Sequence, residues 1–354
     1  MKVAVLGSGN GGLACAFELA MKGREVALFD LPEFGAQIAA VAAAGGITST
    51  GALEGFAPVS ASHDIAATLA GADLVMVVGP AFATPPMAEV CRDHLQPGMA
   101  VLVCPSSCAG ALTFRQFAGL GPDSGVIVGE TSTLPYAVRI SGPAQINIFH
   151  RLDRATYLAA TPQTDTDALF AMVEDVWPLE KADSVLQTTL QNGNPVIHPA
   201  VSLLNAGPID RGGDFLFYEE GVTEGVGRLI EAVDRERLAI AAALEVPVLS
   251  EPALGVRQGY MSLENYSTGY STAPGFLGIG AQGQLDHRYL TEDVGYGLVF
   301  LTDLAVRLGV PTPVMDAVIQ ITDVVLGRDF RAEQARTLES LGLGDLSAAE
   351  LRAL

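Results

Sequence analysis

A glycine triplet set between two strand signals constrains this chain before anything else does. The sequence opens Met-Lys-Val-Ala-Val-Leu-Gly-Ser-Gly-Asn-Gly-Gly, continues through a helix-like run, and reaches Glu-Val-Ala-Leu-Phe-Asp at residues 25–30. Gly7, Gly9 and Gly12 form a G-x-G-x-x-G directly after an apolar strand and open a helix. That context predicts a β-α-β dinucleotide cradle. Gly7 permits the tight turn, Gly9 lets the backbone approach a pyrophosphate, and Gly12 lets helix and sheet pack closely. The helix N-terminus offers unpaired N–H groups and a partial positive charge to phosphates. Asp30 lies 18 residues after Gly12, at the end of the second strand signal. A carboxylate there accepts hydrogen bonds from ribose hydroxyls and repels a 2′-phosphate, and no Arg or Lys follows to neutralise one. The expected cofactor is NAD(H), with Gly7, Gly9, Asn10, Gly11, Gly12 and Asp30 around it.

Composition narrows the partners. A chain of 354 residues suits two domains. Its net charge of −20 argues against nucleic acid and anionic membrane surfaces. No run of 18 or more uncharged apolar residues occurs, so no transmembrane helix is expected. The first strand signal begins at residue 2, which leaves no room for a signal peptide. Cys15, Cys91, Cys104 and Cys108 show neither disulfide nor metal spacing. The expected compartment is the cytoplasm.

The first ~180 residues alternate strand and helix signals. Strands are expected at Lys2–Leu6, Glu25–Asp30, 73–79, 99–104, 126–129 and 145–149, with a small Gly/Ser/Thr-rich excursion, a possible hairpin, at 47–60. Helical stretches fall near 10–22, 62–70, 83–95 and 110–118. Alternation of this kind predicts a doubly wound α/β domain. Pro80 follows the strand at 73–79, at the strand end where such sheets bind ligands. After about residue 182 the strand runs stop. Helical patterns take over near 184–206, 222–245, 293–309 and 313–326, with Pro195 and Pro199 expected to break or kink the first. The reading is a Rossmann domain over 1–181 and a mostly helical domain over 182–354. A Gly/Tyr/Ser-rich segment over 250–287 includes Tyr260, Tyr266 and Tyr270. A loop this long inside a compact domain is often functional, and Tyr266 is the substrate-binding candidate taken from it.

Nicotinamide chemistry leaves the protein to supply a proton donor and a charge anchor. Of the five histidines, His198 sits in an apolar setting just past the domain boundary, where a hydrogen-bonded core histidine is the plainer reading. Arg288 and Asp293 flank Tyr-Leu-Thr-Glu before a helix, where Asp293 reads first as an N-cap and Arg288 as a partner of Glu292.

An ordered set of segments changes that balance. It comprises the opening G-x-G-N-G-G, Gly129-Glu130-Thr131-Ser132, Asn192-x-Asn194-x-x-x-His198-Pro199, Tyr218-x-Glu220-Gly221, Arg288-Tyr289-x-x-Glu292-Asp293, Val310-Pro311-Thr312-Pro313 and Arg336-Thr337-Leu338-Glu339. With these the chain resembles the opine dehydrogenases, the octopine/nopaline dehydrogenase family, over nearly its whole length. It is most similar to the bacterial branch acting on N-(1-carboxyethyl) amino acids. The resemblance implies NADH-dependent condensation of an amino acid with a pyruvate-like 2-oxo acid, through an imine, to a secondary amine dicarboxylate. It implies His198 as general acid/base, Asp293 as its partner and Arg288 as the anchor of the oxo-acid carboxylate, in a cleft between domains facing the nicotinamide. It adds Asn194 on the substrate side and Pro80 and Glu130 on the cofactor side. Bacterial members also suggest a homodimer. Residues 104–110, Cys-Pro-Ser-Ser-Cys-Ala-Gly, depart from the family's Asn-Pro-Gly at a loop expected near nicotinamide and oxo acid.

Two other readings stand beside this one. A 2-hydroxy acid or ketopantoate-type reductase would normally rely on a lysine, and only Lys2, Lys22 and Lys181 occur. A non-catalytic NAD(H) sensor would keep the glycine triplet but have no need of His198.

Overall fold

The computed structural model describes residues 1–352 and 354. Its chain divides into two compact units, Met1–Thr189 and Leu190–Leu354.

The first unit is built on β1 (Lys2–Leu6), β2 (Glu25–Phe29), β3 (Gly46–Gly51), β4 (Gly55–Pro58), β5 (Ser60–Ser62), β6 (Leu74–Val77), β7 (Ala100–Val103), β8 (Ile127–Thr131), β9 (Tyr136–Gly142), β10 (Gln145–Arg151), β11 (Thr156–Thr161) and β12 (Leu179–Lys181). Eight of them form one sheet in the order β12-β11-β8-β7-β6-β1-β2-β5. All its pairings are parallel except β8 with β11. β6 and β7 at its centre are apolar and buried at every position, as expected where helices cover both faces of such a sheet. Val3, Val5, Leu74, Met76, Ala100 and Leu102 pack in one core with Leu13 and Phe17 of the helix Asn10–Met21. Strand order reverses between β1 and β6, so the topological switch point falls beside the glycine triplet.

The excursion at 47–60 contains the hairpin β3–β4. It belongs to a second, four-stranded sheet in the order β4-β3-β10-β9. That sheet packs against Asn10–Met21. One buried knot joins helix and sheet: Glu18 accepts from the Tyr136 hydroxyl at 2.6 Å and from Arg151 at 2.8 Å. The expectation omitted β5, β9, β11 and β12; β5 and β12 are three residues long, whereas Val138–Ser141 of β9 alternates and Tyr157–Ala160 of β11 is an apolar run.

The second unit has no named strand among the described residues. Its helices include Asn194–Leu204, Glu224–Leu244, Val299–Leu308 and Pro313–Leu326. The expected helix over 184–206 is broken at residues 191–193 into Val185–Leu190 and Asn194–Leu204. Pro195 stands in the first turn, where a missing N–H costs nothing, and Pro199 is tolerated inside the helix. The expected helix at 293–309 begins instead as a π-turn, Asp293–Leu298, before regular helix resumes at Val299. Asp234 and Arg237 form a fully buried ion pair at 2.6 Å, and Arg237 also donates to the Leu190 and Leu249 carbonyls. No helix among the described residues is long and apolar enough to cross a membrane.

Candidate active site

The glycine turn has the shape its spacing predicts. Gly7 adopts φ +114°, and a Cβ there would lie 2.1 Å from the Val78 carbonyl oxygen. A Cβ on Gly12 would meet the Gly7 oxygen at 1.8 Å. Gly9 differs: nothing lies within 4 Å of where its Cβ would be. The helix that follows has no side-chain cap and no acidic residue in its first turn. Open space over Gly9 and unpaired helix N–H groups are what a pyrophosphate requires, so these residues fit a dinucleotide. Asp30 directly follows β2 and is buried. Its carboxylate accepts from the Ser8 backbone N–H at 2.6 Å, the Ser8 hydroxyl at 2.7 Å and the Leu31 N–H at 2.8 Å, which ties it to the glycine turn. Pro80 lies just past β6 and precedes a short 3-10 turn, Ala81–Ala83.

Two cofactor-side candidates have other work. The Asn10 side chain accepts the Ile140 backbone N–H at 2.7 Å through its carbonyl oxygen, which holds the second sheet onto the helix. Glu130 is fully buried. Its carboxylate accepts from Ala111 N–H at 2.8 Å, Thr188 at 2.6 Å and Thr189 at 3.0 Å. Burial pushes its carboxyl above the usual range, and these bonds oppose that. What Glu130 secures is the turn after β7, where Ser107, Cys108 and Ala109 take φ +44°, +72° and +56° in succession. Three consecutive non-glycine residues in the left-handed region cost about 1–2 kcal/mol each. Thr189 helps hold them, accepting the Ala109 N–H at 2.8 Å.

His198 stands on the helix Asn194–Leu204 and is 7% exposed. Its Nδ1 lies 2.7 Å from Asp293 Oδ2. A carboxylate has only acceptors, so Nδ1 carries the proton of this bond. Nε2 lies 3.0 Å from the Tyr218 hydroxyl. The imidazole stacks on Tyr289 with centroids 3.9 Å apart. Tyr218 in turn stacks on Phe276 at 4.3 Å. The π-turn explains why Asp293 is a partner of histidine and not a simple N-cap. π-turns are rare and gather at functional sites, and this one starts at the carboxylate His198 uses.

Arg288 begins the short helix Arg288–Thr291, half-exposed, with its Nε 3.0 Å from Glu292 Oε2. The neighbouring His287 is held below its usual range by burial first and then by the positive charge of Arg288. Asn194 lies one helical turn before His198, on the same face. Tyr266 is not brought to His198. Its hydroxyl donates to Asp234 at 2.6 Å, which fastens it to the helix Glu224–Leu244. The Gly/Tyr/Ser-rich segment reaches the site through Phe276 instead, against which Tyr260 and Tyr270 also stack. Tyr218, Tyr289 and Phe276 are the contributors that sequence reasoning missed as site residues. Tyr218 and Tyr289 lay inside quoted motifs, but nothing in a motif says which side chain faces the histidine.

Comparisons with known proteins agree with this picture. Residues 181–326 match the family described as NAD/NADP octopine/nopaline dehydrogenase, alpha-helical domain. Residues 2–175 match an FAD binding domain; flavin and nicotinamide domains have a glycine-rich dinucleotide turn in common. The chain is 35% identical to an opine dehydrogenase of Arthrobacter sp. (strain 1C), over 99% of this chain and 97% of the relative. Among solved structures, octopine dehydrogenase in complex with NADH and agmatine superposes with a TM-score of 0.83 at 19% identity, covering 100% of this chain and 98% of that one. Octopine dehydrogenase with NADH and pyruvate gives 0.73 at 22% identity and 98% of each chain. The chain is a member of the opine dehydrogenase family, an NAD-dependent oxidoreductase.

Proposed function

We propose that this protein joins an L-amino acid to a pyruvate-like 2-oxo acid, giving an N-(1-carboxyalkyl) amino acid, and runs the reverse oxidation. The observation that carries the reading is the buried His198 bound to Asp293 at 2.7 Å, five residues after Arg288. Condensation of the amine with the oxo carbon gives a carbinolamine, which loses water to an imine. NADH, when bound, supplies the hydride that reduces the imine carbon.

The chain's own residues do the rest. His198 gives a proton to the departing carbinolamine hydroxyl and takes one from water in the reverse direction, a task suited to imidazole near neutral pH. Asp293 fixes the imidazole tautomer and stabilises its charged form. Arg288 binds the oxo-acid carboxylate, since a guanidinium fork grips a carboxylate by two parallel bonds. Glu292 steadies that guanidinium from its Nε side. Asn194 is proposed on the substrate and Gly7, Gly9, Gly11, Gly12, Asp30 and Pro80 around the cofactor. Support for pyruvate as co-substrate comes from the octopine dehydrogenase solved with it. All four cysteines are free thiols, in keeping with a cytoplasmic enzyme. Native molecular mass tests the homodimer expected from bacterial members.

The test is NADH oxidation with pyruvate and a panel of amino acids, omitting each component in turn. Oxidation requiring both substrates is the expected result. Oxidation with the oxo acid alone would make the enzyme a 2-hydroxy acid dehydrogenase and overturn the reading.

A further inference from the structure

In this structure the working nitrogen of His198 is not open. Asp293 takes Nδ1, and Nε2, the nitrogen left for chemistry, meets the Tyr218 hydroxyl at 3.0 Å. Tyr218 is 5% exposed, and its ring is fixed by Phe276 stacked at 4.3 Å and 16° and by Phe217 edge-on at 5.0 Å. Burial holds the phenol well above its usual range, with the nearby Tyr289 next in effect, so the group is an O–H at any working pH. A hydroxyl both donates and accepts. It donates to Nε2 of a neutral imidazole, and it accepts from Nε2–H of an imidazolium. Tyr218 can therefore stay bonded to His198 in both protonation states.

We infer that Tyr218 is a positioning residue of the acid–base site, holding His198 Nε2 in place through its hydroxyl. The inference rests on the function proposed above. Its consequence falls on the chemical step: freeing Nε2 should lower kcat while the KM of each substrate stays unchanged.

The experiment compares kcat and KM of wild type, Tyr218→Phe and Phe276→Leu in the two-substrate NADH assay. Tyr218→Phe keeps both ring contacts and removes only the hydroxyl. It is expected to lower kcat about tenfold, the scale of one lost hydrogen bond to a reacting group. The KM of the amino acid and of the oxo acid should not change. NADH binding, followed by fluorescence, should not change. Phe276→Leu removes a ring that steadies Tyr218 but keeps the hydroxyl, so it should lower kcat less than Tyr218→Phe does. An unchanged kcat in Tyr218→Phe, a loss that falls on KM instead, or an equal fall of kcat in both variants overturns the inference. Wild type that does not need both substrates would instead overturn the proposed reaction, and the two failures are distinguishable.

Discussion

The cofactor cradle and the acid–base site are built on opposite principles. The cradle is backbone: a left-handed Gly7, a close approach at Gly12 and empty space above Gly9, all within six residues. The acid–base site is side chain on side chain. His198, Tyr218 and Asp293 come from three segments spanning 95 residues, with aromatic rings on two sides. A short backbone device tolerates no extra atom but needs no distant partner. A side-chain assembly tolerates conservative change in its frame and fails when one reacting group is removed. Mutations should therefore separate binding from chemistry.

The sharpest test of that separation is His198→Ala. Turnover should fall about a hundredfold or more, the scale of a lost general acid/base, while NADH titration by fluorescence stays unchanged. An equal loss of NADH affinity would erase the distinction. Next in size is Gly9→Ala, whose methyl meets no protein atom within 4 Å. The fold should keep its melting temperature while NADH affinity drops about tenfold, because the methyl takes the space needed for close pyrophosphate approach. A variant that melted early would mean that Gly9 serves packing and not the ligand.

Arg288→Lys sharpens the picture within the acid–base site. A point charge replaces a fork, so the apparent KM for the oxo acid should rise about tenfold with little change in that of the amino acid. A rise confined to the amino acid would reassign the carboxylate. The smallest effect concerns the frame. Burial raises the Glu251 carboxyl from the ordinary 4.5 to about 7, so the folded protein holds a proton that the unfolded chain releases. Stability from this group is complete below about pH 4.5 and is lost as pH rises through about 7. Glu251→Gln should therefore raise the melting temperature more at pH 8 than at pH 5. Equal shifts at both would show that Glu251 is ionised throughout.

The two regions also differed in how far the sequence revealed them. The cradle was legible because its determinants are local: strand, three glycines, helix and acid fall within thirty residues. The exceptions were side chains. Asn10 and Glu130 carry the right chemistry in the right segments, yet folding assigns one to Ile140 and the other to Ala111, Thr188 and Thr189. Spacing cannot show which way a polar group turns. The pairing of His198 with Asp293 was not in any local pattern. It came from likeness to a family, and the structure brings the two together. Tyr266 was chosen from a tyrosine-rich segment for its residue type, but its hydroxyl goes to Asp234, and Phe276 is what that segment brings to Tyr218. The strands β5 and β12 escaped notice because each is three residues long, too short for periodicity to register.

If His198 drives formation of a carbon–nitrogen bond at a carbon that receives hydride, the product made from 4-deuterated NADH, pyruvate and the preferred amino acid will show it by mass spectrometry, in wild type and His198→Ala side by side. The wild-type product should carry one deuterium on the carbon newly bonded to nitrogen. The variant, with NADH bound normally, should yield at most about one hundredth as much. Deuterium in a 2-hydroxy acid, or equal yields from both proteins, would contradict it.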